Sequence, residues 1–231
     1  MAVLITIAGP QSSGKTTVCQ MVKLKHPEWN YLEETNPYTL TDGNHPGAAF
    51  TTKKLELQIV NEDIRKIKKI NRLSDINLIE TGIMHLMYLE AMINKKTADR
   101  YFDSYLKAHE GLKTIIIFID TKPEISWLRR KNKYKTRVEG FDCPSDKKKA
   151  LQKYKDAIFR FYPLWIKWLD RIPFEKYVIS NSQSSYAEFQ RKILDAVSKV
   201  HTLHVSQSTL SSFQAAIALD KGSMDIKKRR S

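Results

Sequence analysis

Val3-Leu-Ile-Thr-Ile-Ala8 runs directly into Gly9-Pro-Gln-Ser-Ser-Gly14-Lys15-Thr16. The first six residues are a largely apolar, β-branched run, the pattern of a strand buried on both faces of a parallel sheet. The next eight match G-x4-G-K-[ST], in the context that motif needs: a buried strand before it and a helix, Gly14–Lys25, opening within it. Glycines let the backbone wrap tightly, so that successive N–H groups and the helix N-terminus face phosphate oxygens. Lys15 is expected to reach the β- and γ-phosphates and the Thr16 hydroxyl to ligate Mg²⁺. Gly9, Ser12, Ser13, Gly14 and Thr17 complete the expected cradle. A chance match in a chain of this length is on the order of one in a hundred, and its position after the first strand makes chance rarer still.

Outward from that point, β-rich and helix-like segments alternate. Strands are predicted at Val3–Ala8, Tyr31–Glu33, Ile76–Glu80, Thr114–Asp120 and Tyr177–Ser180. Helices are predicted at Gly14–Lys25, Lys54–Arg72, Ile83–Ile93, Asp99–His109, Pro123–Lys131, Asp146–Trp168 and Tyr186–Val200. Such alternation implies an α/β fold of three layers, a five-stranded parallel sheet between helices with right-handed crossovers. Thr39–Ala49, rich in Gly, Pro, Asn and Asp, reads as a loop. The expected organisation is one domain over 1–200 and a poorly ordered basic tail over 201–231, with a short helix near Phe213–Leu219.

Composition narrows the class. The chain has 231 residues, 42% hydrophobic and 28% charged, enough to bury a core without staples. Cys19 and Cys143 alone exclude a disulfide framework or a four-cysteine zinc site. No apolar run reaches the ~18 residues of a membrane span. MAVLITIAGP lacks a basic n-region and reads as a strand, so a cytoplasmic protein without membrane partners is expected. Lys+Arg 39 against Asp+Glu 25 gives a formal charge of +14, with pI ≈ 9.6. That excess favours anionic partners or serves solubility alone. Lys227–Arg230 fits a nuclear address or an ordinary solvated end.

A phosphate loop fixes the ligand and leaves the reaction open. A GTPase calls for N-K-x-D, whereas this chain has Asn132-Lys133-Tyr134-Lys135. Motor and transporter ATPases need a strand ending in Asp-Glu; the third strand ends in Glu80 alone.

Further segments carry a resemblance. Phe118-Ile-Asp120-Thr-Lys-Pro123-Glu124, followed by Arg129-Arg130 and then Arg137-Val-Glu139, is similar to the run leading into the helical lid of the thymidylate kinase and deoxynucleoside kinase branch of the P-loop kinases. The similarity extends from Val3 to about Val200. It implies Mg-ATP as phosphoryl donor and a lid over about 129–149. Arg130 and Arg137, with Arg129 close behind, would neutralise the transferring group there and exclude water. Glu33-Glu34-Thr-Asn36-Pro37-Tyr38 resembles the acidic stretch of the deoxynucleoside kinases, so Glu33 or Glu34 is the base candidate toward the accepting hydroxyl. Gln58 and Arg65, seven apart on one helix face, resemble a nucleobase-contacting pair, and Phe50 could stack on the base or belong to the core. Glu80 is the acid expected to hold Mg²⁺ and border the acceptor. Thr81 follows it where those families have Arg, which leaves the acceptor open; His85 is a substitute to consider. Asn181, after the last strand, is the candidate beside the donor adenine. The aromatic stretch Phe159–Trp168 reads as core.

The leading expectation is therefore a Mg-ATP-dependent kinase of a nucleoside or nucleotide, with dimerisation through helices implied by the resemblance. The alternatives are a P-loop kinase of another metabolite, such as a nicotinamide riboside-type kinase, and a polynucleotide 5′-hydroxyl kinase or nucleic-acid-binding P-loop protein.

Overall fold

The computed structural model describes residues 2–35, 51–70, 76–139, 143–182 and 185–202. Phe50, the stretch Asn36-Pro37-Tyr38, the loop Thr39–Ala49 and the tail with its Lys227–Arg230 cluster lie outside the described residues. Five strands, β1 (Val3–Ala8), β2 (Asn30–Leu32), β3 (Ile76–Glu80), β4 (Lys113–Asp120) and β5 (Glu175–Ser180), form one sheet in the order β2-β3-β1-β4-β5. Every pairing is parallel, with Ile5 opposite Leu78 on one side and Ile115 on the other.

The pleat explains why β1 is apolar at nearly every position. Leu4 and Ala8, with Ile79, Ile116 and Phe118, join the main core. The alternate residues Val3, Ile5 and Ile7 are equally buried on the opposite face. The main core is completed from α2 (Lys53–Lys68), α3 (Leu86–Met92), α4 (Lys95–His109), α5 (Pro123–Val138) and α6 (Pro144–Arg171). α1 (Lys15–Lys25) packs on β1 and β3. Side-chain caps fix two helix starts: the Thr52 hydroxyl accepts from the Leu55 N–H at 3.2 Å, and Asn94 Oδ1 accepts from the Thr97 N–H at 2.8 Å. Phe161, Trp165 and Trp168 of α6 are buried while Phe159 is exposed, so one face of the aromatic stretch belongs to the core.

Most element bounds shift by a few residues, β2 to Asn30–Leu32, β5 to Glu175–Ser180, α4 to Lys95–His109 and α6 to Pro144–Arg171 among them, and two further differences follow. The helix expected over Ile83–Ile93 begins as a 3-10 turn, Gly82–His85, before α3. The preceding Thr81 has φ 65 and ψ −57, a strained γ-turn conformation at the entry to that turn. α5 runs on to Val138, beyond the Lys131 expected, because Tyr134 stacks on Tyr154 of α6 with centroids 4.2 Å apart. The chain divides at Gln190 into two units; in the second, residues 191–202 are helical and bury Ile193, Ala196, Val197 and Val200.

In the order β2-β3-β1-β4-β5, the connection from β1 leads to one side of it and the connection from β3 to the other. The crevice at the carboxyl ends of β1 and its neighbours is where an open α/β sheet places its ligand. Gly9, Glu80, Asp120 and Asn181 all sit at that rim, each at or just after a strand end.

Candidate active site

The loop after β1 has the backbone its glycines predict. Gly9 has φ 152, and a Cβ there would meet the Ile119 carbonyl oxygen at 2.5 Å, so only glycine fits. Gly14, at φ 100, precedes the first turn of α1, and Ser12 is also left-handed at φ 61. The Lys15 ammonium lies across the mouth of its own loop, donating to the Gly9 and Pro10 carbonyls at 3.1 and 3.4 Å. It stands 5.9 Å from the centre of the Trp165 ring. The Thr16 hydroxyl donates to Glu80 Oε1 at 2.9 Å, so the two residues expected to share Mg²⁺ meet. Burial, and then the charge of Glu34, push the Glu80 carboxyl above its ordinary range against the opposing pull of Lys15 and the Thr16 bond.

Two arginines of α5 reach the same loop. Arg129 donates to the carbonyls of Ser12 at 3.4 Å and Asn181 at 2.9 Å. Arg130 Nη1 approaches the Ser12 hydroxyl at 3.5 Å, and its Nε is a buried donor without a partner. Arg137, two turns further on, stacks over Tyr134, with its guanidinium carbon 5.8 Å from the ring centre; Arg130 lies at the same distance from that ring. Asn181 meets the loop as well. Its side-chain amide donates to the Ser13 carbonyl at 2.6 Å and its own N–H donates to the Asp120 carbonyl at 2.8 Å. It braces the phosphate loop against β4.

Across the crevice the side chains are acidic. Glu34 Oε1 accepts from the Thr81 hydroxyl at 3.2 Å and lies within electrostatic reach of Glu80. Glu33 contributes its carbonyl, which accepts from Lys66 Nζ at 2.7 Å. The structure thus brings Glu34, of the two candidates, toward the phosphate loop. Gln58 and Arg65 are not brought there. Both are exposed on α2, with Arg65 in an ion pair with Glu62. At 100° per residue, Gln58 lies 200° around the helix from Glu56. The inward face carries Glu56 and Asp63, also seven apart, which the sequence reading passed over. Two acids inside the stripe of Leu55, Ile59, Val60 and Ile64 were the available signal, because acids are rarely buried without a role.

Asp63 Oδ2 is 2.6 Å from His85 Nδ1, and its Oδ1 accepts from the Thr35 hydroxyl at 2.7 Å. Burial works against a charged His85, but Asp63, Glu34 and Glu56 outweigh it and raise its pKa. Burial likewise pushes the Glu56 carboxyl upward. Tyr88, 5.8 Å from both the His85 and Trp165 rings, forms the wall between this cluster and Lys15.

No model of a known protein family matches the chain, and no curated protein matches its sequence. Solved structures do match. Deoxyadenosine kinase from M. mycoides with bound dATP aligns at TM-score 0.52 and 15% identity, over 85% of this chain and 99% of that one. The same kinase with bound dCTP gives TM-score 0.54 at 14% identity, over 85% of this chain and 100% of that one. The NadR protein in complex with NR gives TM-score 0.57 at 14% identity, over 86% of this chain and 51% of that one. The likeness is one of fold: the five-stranded parallel sheet between helices is shared with these structures. Among the described residues, no helix is long and apolar enough to cross a membrane.

Proposed function

We propose that the protein is a Mg-ATP-dependent phosphotransferase that moves the γ-phosphoryl group to a hydroxyl of a nucleoside or nucleotide. The observation that carries the reading is the convergence at one rim of Lys15, the Thr16–Glu80 pair at 2.9 Å and the guanidinium groups of Arg129 and Arg130 at Ser12. The fold-level likeness to nucleoside kinases supports the same class.

The residues present fit Mg²⁺. A hydroxyl and a carboxylate are hard oxygen donors, and this ion takes one or two protein ligands together with substrate phosphates and water. Among the described residues, no group of three or more His, Cys, Asp or Glu side chains is placed to hold a metal ion. Thr16 and Glu80 would hold Mg²⁺, which when bound would supply neutralisation of the phosphate charge.

The chain's own groups supply the rest. The main-chain N–H groups of Gly9–Thr16 and the N-terminus of α1 hold the β- and γ-phosphates. Lys15 and Arg130 meet the charge that grows on the equatorial oxygens of the transferring group, where fixed donors are worth most. Arg137 lies further along α5, and closure of that helix over the donor is its route to the phosphates. The acceptor oxygen attacks the γ-phosphorus, the bond to the β–γ bridging oxygen breaks, and ADP leaves. Glu34, held by Thr81, takes the acceptor proton and passes it to solvent. Gln58 and Arg65 have no part in this reading.

A panel of nucleosides, nucleoside monophosphates and 5′-hydroxyl oligonucleotides incubated with γ-labelled ATP and Mg²⁺ tests it. Label on a mononucleoside or mononucleotide is the expected result. Label on the oligonucleotide alone, with binding that weakens steeply as salt rises, would move the protein to the polynucleotide class.

A further inference from the structure

α5 is a charged helix with one large buried side chain. From Arg129 to Arg137 it reads Arg-Arg-Lys-Asn-Lys-Tyr-Lys-Thr-Arg, and within that run Tyr134 alone is buried, at 3% exposure. Its ring stacks on Tyr154 of α6, with centroids 4.2 Å apart and planes 11° from parallel. Trp127, earlier on α5, lies 6.2 Å away and 21° from parallel. Arg130 and Arg137 stand four residues before Tyr134 and three after it, on the same side of the helix. Each guanidinium carbon is 5.8 Å from the centre of the Tyr134 ring, inside the reach of about 6 Å over which an aromatic ring attracts a cation. Burial pushes the Tyr134 phenol upward, and the charges of Arg130 and then Arg137 pull against it. Arg130, with burial and Arg137 adding to its effect, holds the Lys133 ammonium below its ordinary range. Three cations thus crowd one stretch of helix at spacings where like charges repel, and the ring offers two of them a common attraction.

The helix that carries Tyr154 also backs the donor loop. Phe161 and Trp165 lie seven and eleven residues beyond Tyr154, on the same face of α6 at about 100° per residue. Lys15 is 5.9 Å from the centre of the Trp165 ring. Arg130 already meets the loop, with Nη1 3.5 Å from the Ser12 hydroxyl, while its Nε is a buried donor with no acceptor among the described residues. A buried donor is costly until an acceptor reaches it, and a γ-phosphate oxygen at the loop would be one. Resting on the kinase reading above, we propose that Tyr134 is a positioning residue for the transfer step: its ring, fixed on Tyr154, holds Arg130 and Arg137 as one unit aimed at the γ-phosphoryl group. Tyr134 touches no substrate in this scheme. It acts through the two arginines, and without the ring each guanidinium is free to turn to solvent. The β-phosphate, held by the main chain of Gly9–Thr16, lies outside its influence.

Calorimetric titration of the full chain with ADP and with the β,γ-imido analogue of ATP, each with Mg²⁺, tests this without turnover. Wild type is expected to bind the analogue more tightly than ADP. Tyr134→Leu should lose about tenfold of that preference with ADP affinity unmoved, the worth of a charge-assisted hydrogen bond. In the transfer assay its kcat should fall about 100-fold, as a misplaced group implies, with the acceptor KM unchanged. Tyr134→Phe keeps the ring and should stay within about threefold of wild type in both measurements. With Arg130→Met and Arg137→Met already in place, Tyr134→Leu should change the preference no further. Near-ultraviolet circular dichroism checks the fold of each variant. If Tyr134→Leu does not fold, pentafluorophenylalanine at position 134 decides: it keeps the ring's shape but withdraws its electrons, and should lose several-fold of the preference that Tyr134→Phe keeps. A folded Tyr134→Leu with the wild-type preference overturns the inference, as does a fluorinated ring that behaves like phenylalanine. A loss that adds fully to that of the arginine pair, or equal affinity of wild type for the two nucleotides, overturns it as well. All four leave the kinase reading standing. Wild-type protein that binds neither nucleotide removes that reading and this inference together.

Discussion

The two ends of the crevice are built on opposite plans. On the proposed reading, the donor end is a short stretch of contiguous chain, Gly9–Thr16, which would work through backbone N–H donors and one ammonium, backed by two guanidinium groups from α5. The acceptor end is assembled from separate segments: Glu34 after β2, Glu56 and Asp63 on α2, Thr81 after β3 and His85 in the 3-10 turn. One end is cationic and made of main chain; the other is acidic and made of side chains. Phosphoryl transfer needs that polarity, because the donor brings negative charge and the acceptor must lose a proton.

The contrast predicts unequal responses to substitution, and Lys15→Ala is expected to give the largest. Transfer should fall on the order of 10²–10³-fold or more, with circular dichroism unchanged, because among the described residues the hydrogen bonds of the ammonium go to the Gly9 and Pro10 carbonyls of its own loop. Glu34→Gln should come next, with kcat lower by roughly 10²-fold, against little change for Glu33→Gln, whose contact with Lys66 is made by its main-chain carbonyl. Parity between the two glutamates in a steady-state assay would break the assignment of Glu34 to the acceptor end. Thr81→Val keeps the branched shape and removes the hydroxyl that holds Glu34. We expect a several-fold loss of kcat and about 0.5–1.5 kcal/mol of stability, read by urea unfolding.

The smallest effect is one of pH on stability. The pKa of His85 is raised in the folded chain, so the native state keeps a proton that the unfolded chain has released. Its contribution is fully present below the ordinary histidine value of about 6.5 and is lost as pH rises through the elevated native value. Urea midpoints should therefore fall across that window in wild type, and the slope should flatten in His85→Gln. An unchanged slope would remove His85 from the charged pair.

The same contrast explains what the sequence made legible. A phosphate loop is local: glycine spacing, an apolar strand and a helix start sit within one window, and Gly9 is dictated by its approach to Ile119. The three inner strands β1, β3 and β4 were readable because burial on both faces leaves nearly unbroken apolar runs. The acceptor side offered only isolated polar residues, and a seven-residue spacing on α2 fits two faces equally well. Gln58 and Arg65 had the right period on the solvent side; Glu56 and Asp63 had it on the inward side. The apolar stripe of Leu55, Ile59, Val60 and Ile64 marks the inward face, and His85, 22 residues from Asp63 in the chain, meets that face only through tertiary packing. Asn181 shows the same limit: its place at the rim was legible, but its bond to Ser13 is a matter of tertiary packing.

The most direct test of the account is to follow the γ-phosphorus of ATP by ³¹P NMR in the presence of the wild-type chain, Mg²⁺ and a nucleoside. The account predicts stoichiometric appearance of a phosphomonoester signal on the nucleoside, abolished by EDTA and by Lys15→Ala. Appearance of inorganic phosphate alone, at a rate indifferent to the nucleoside, would contradict it.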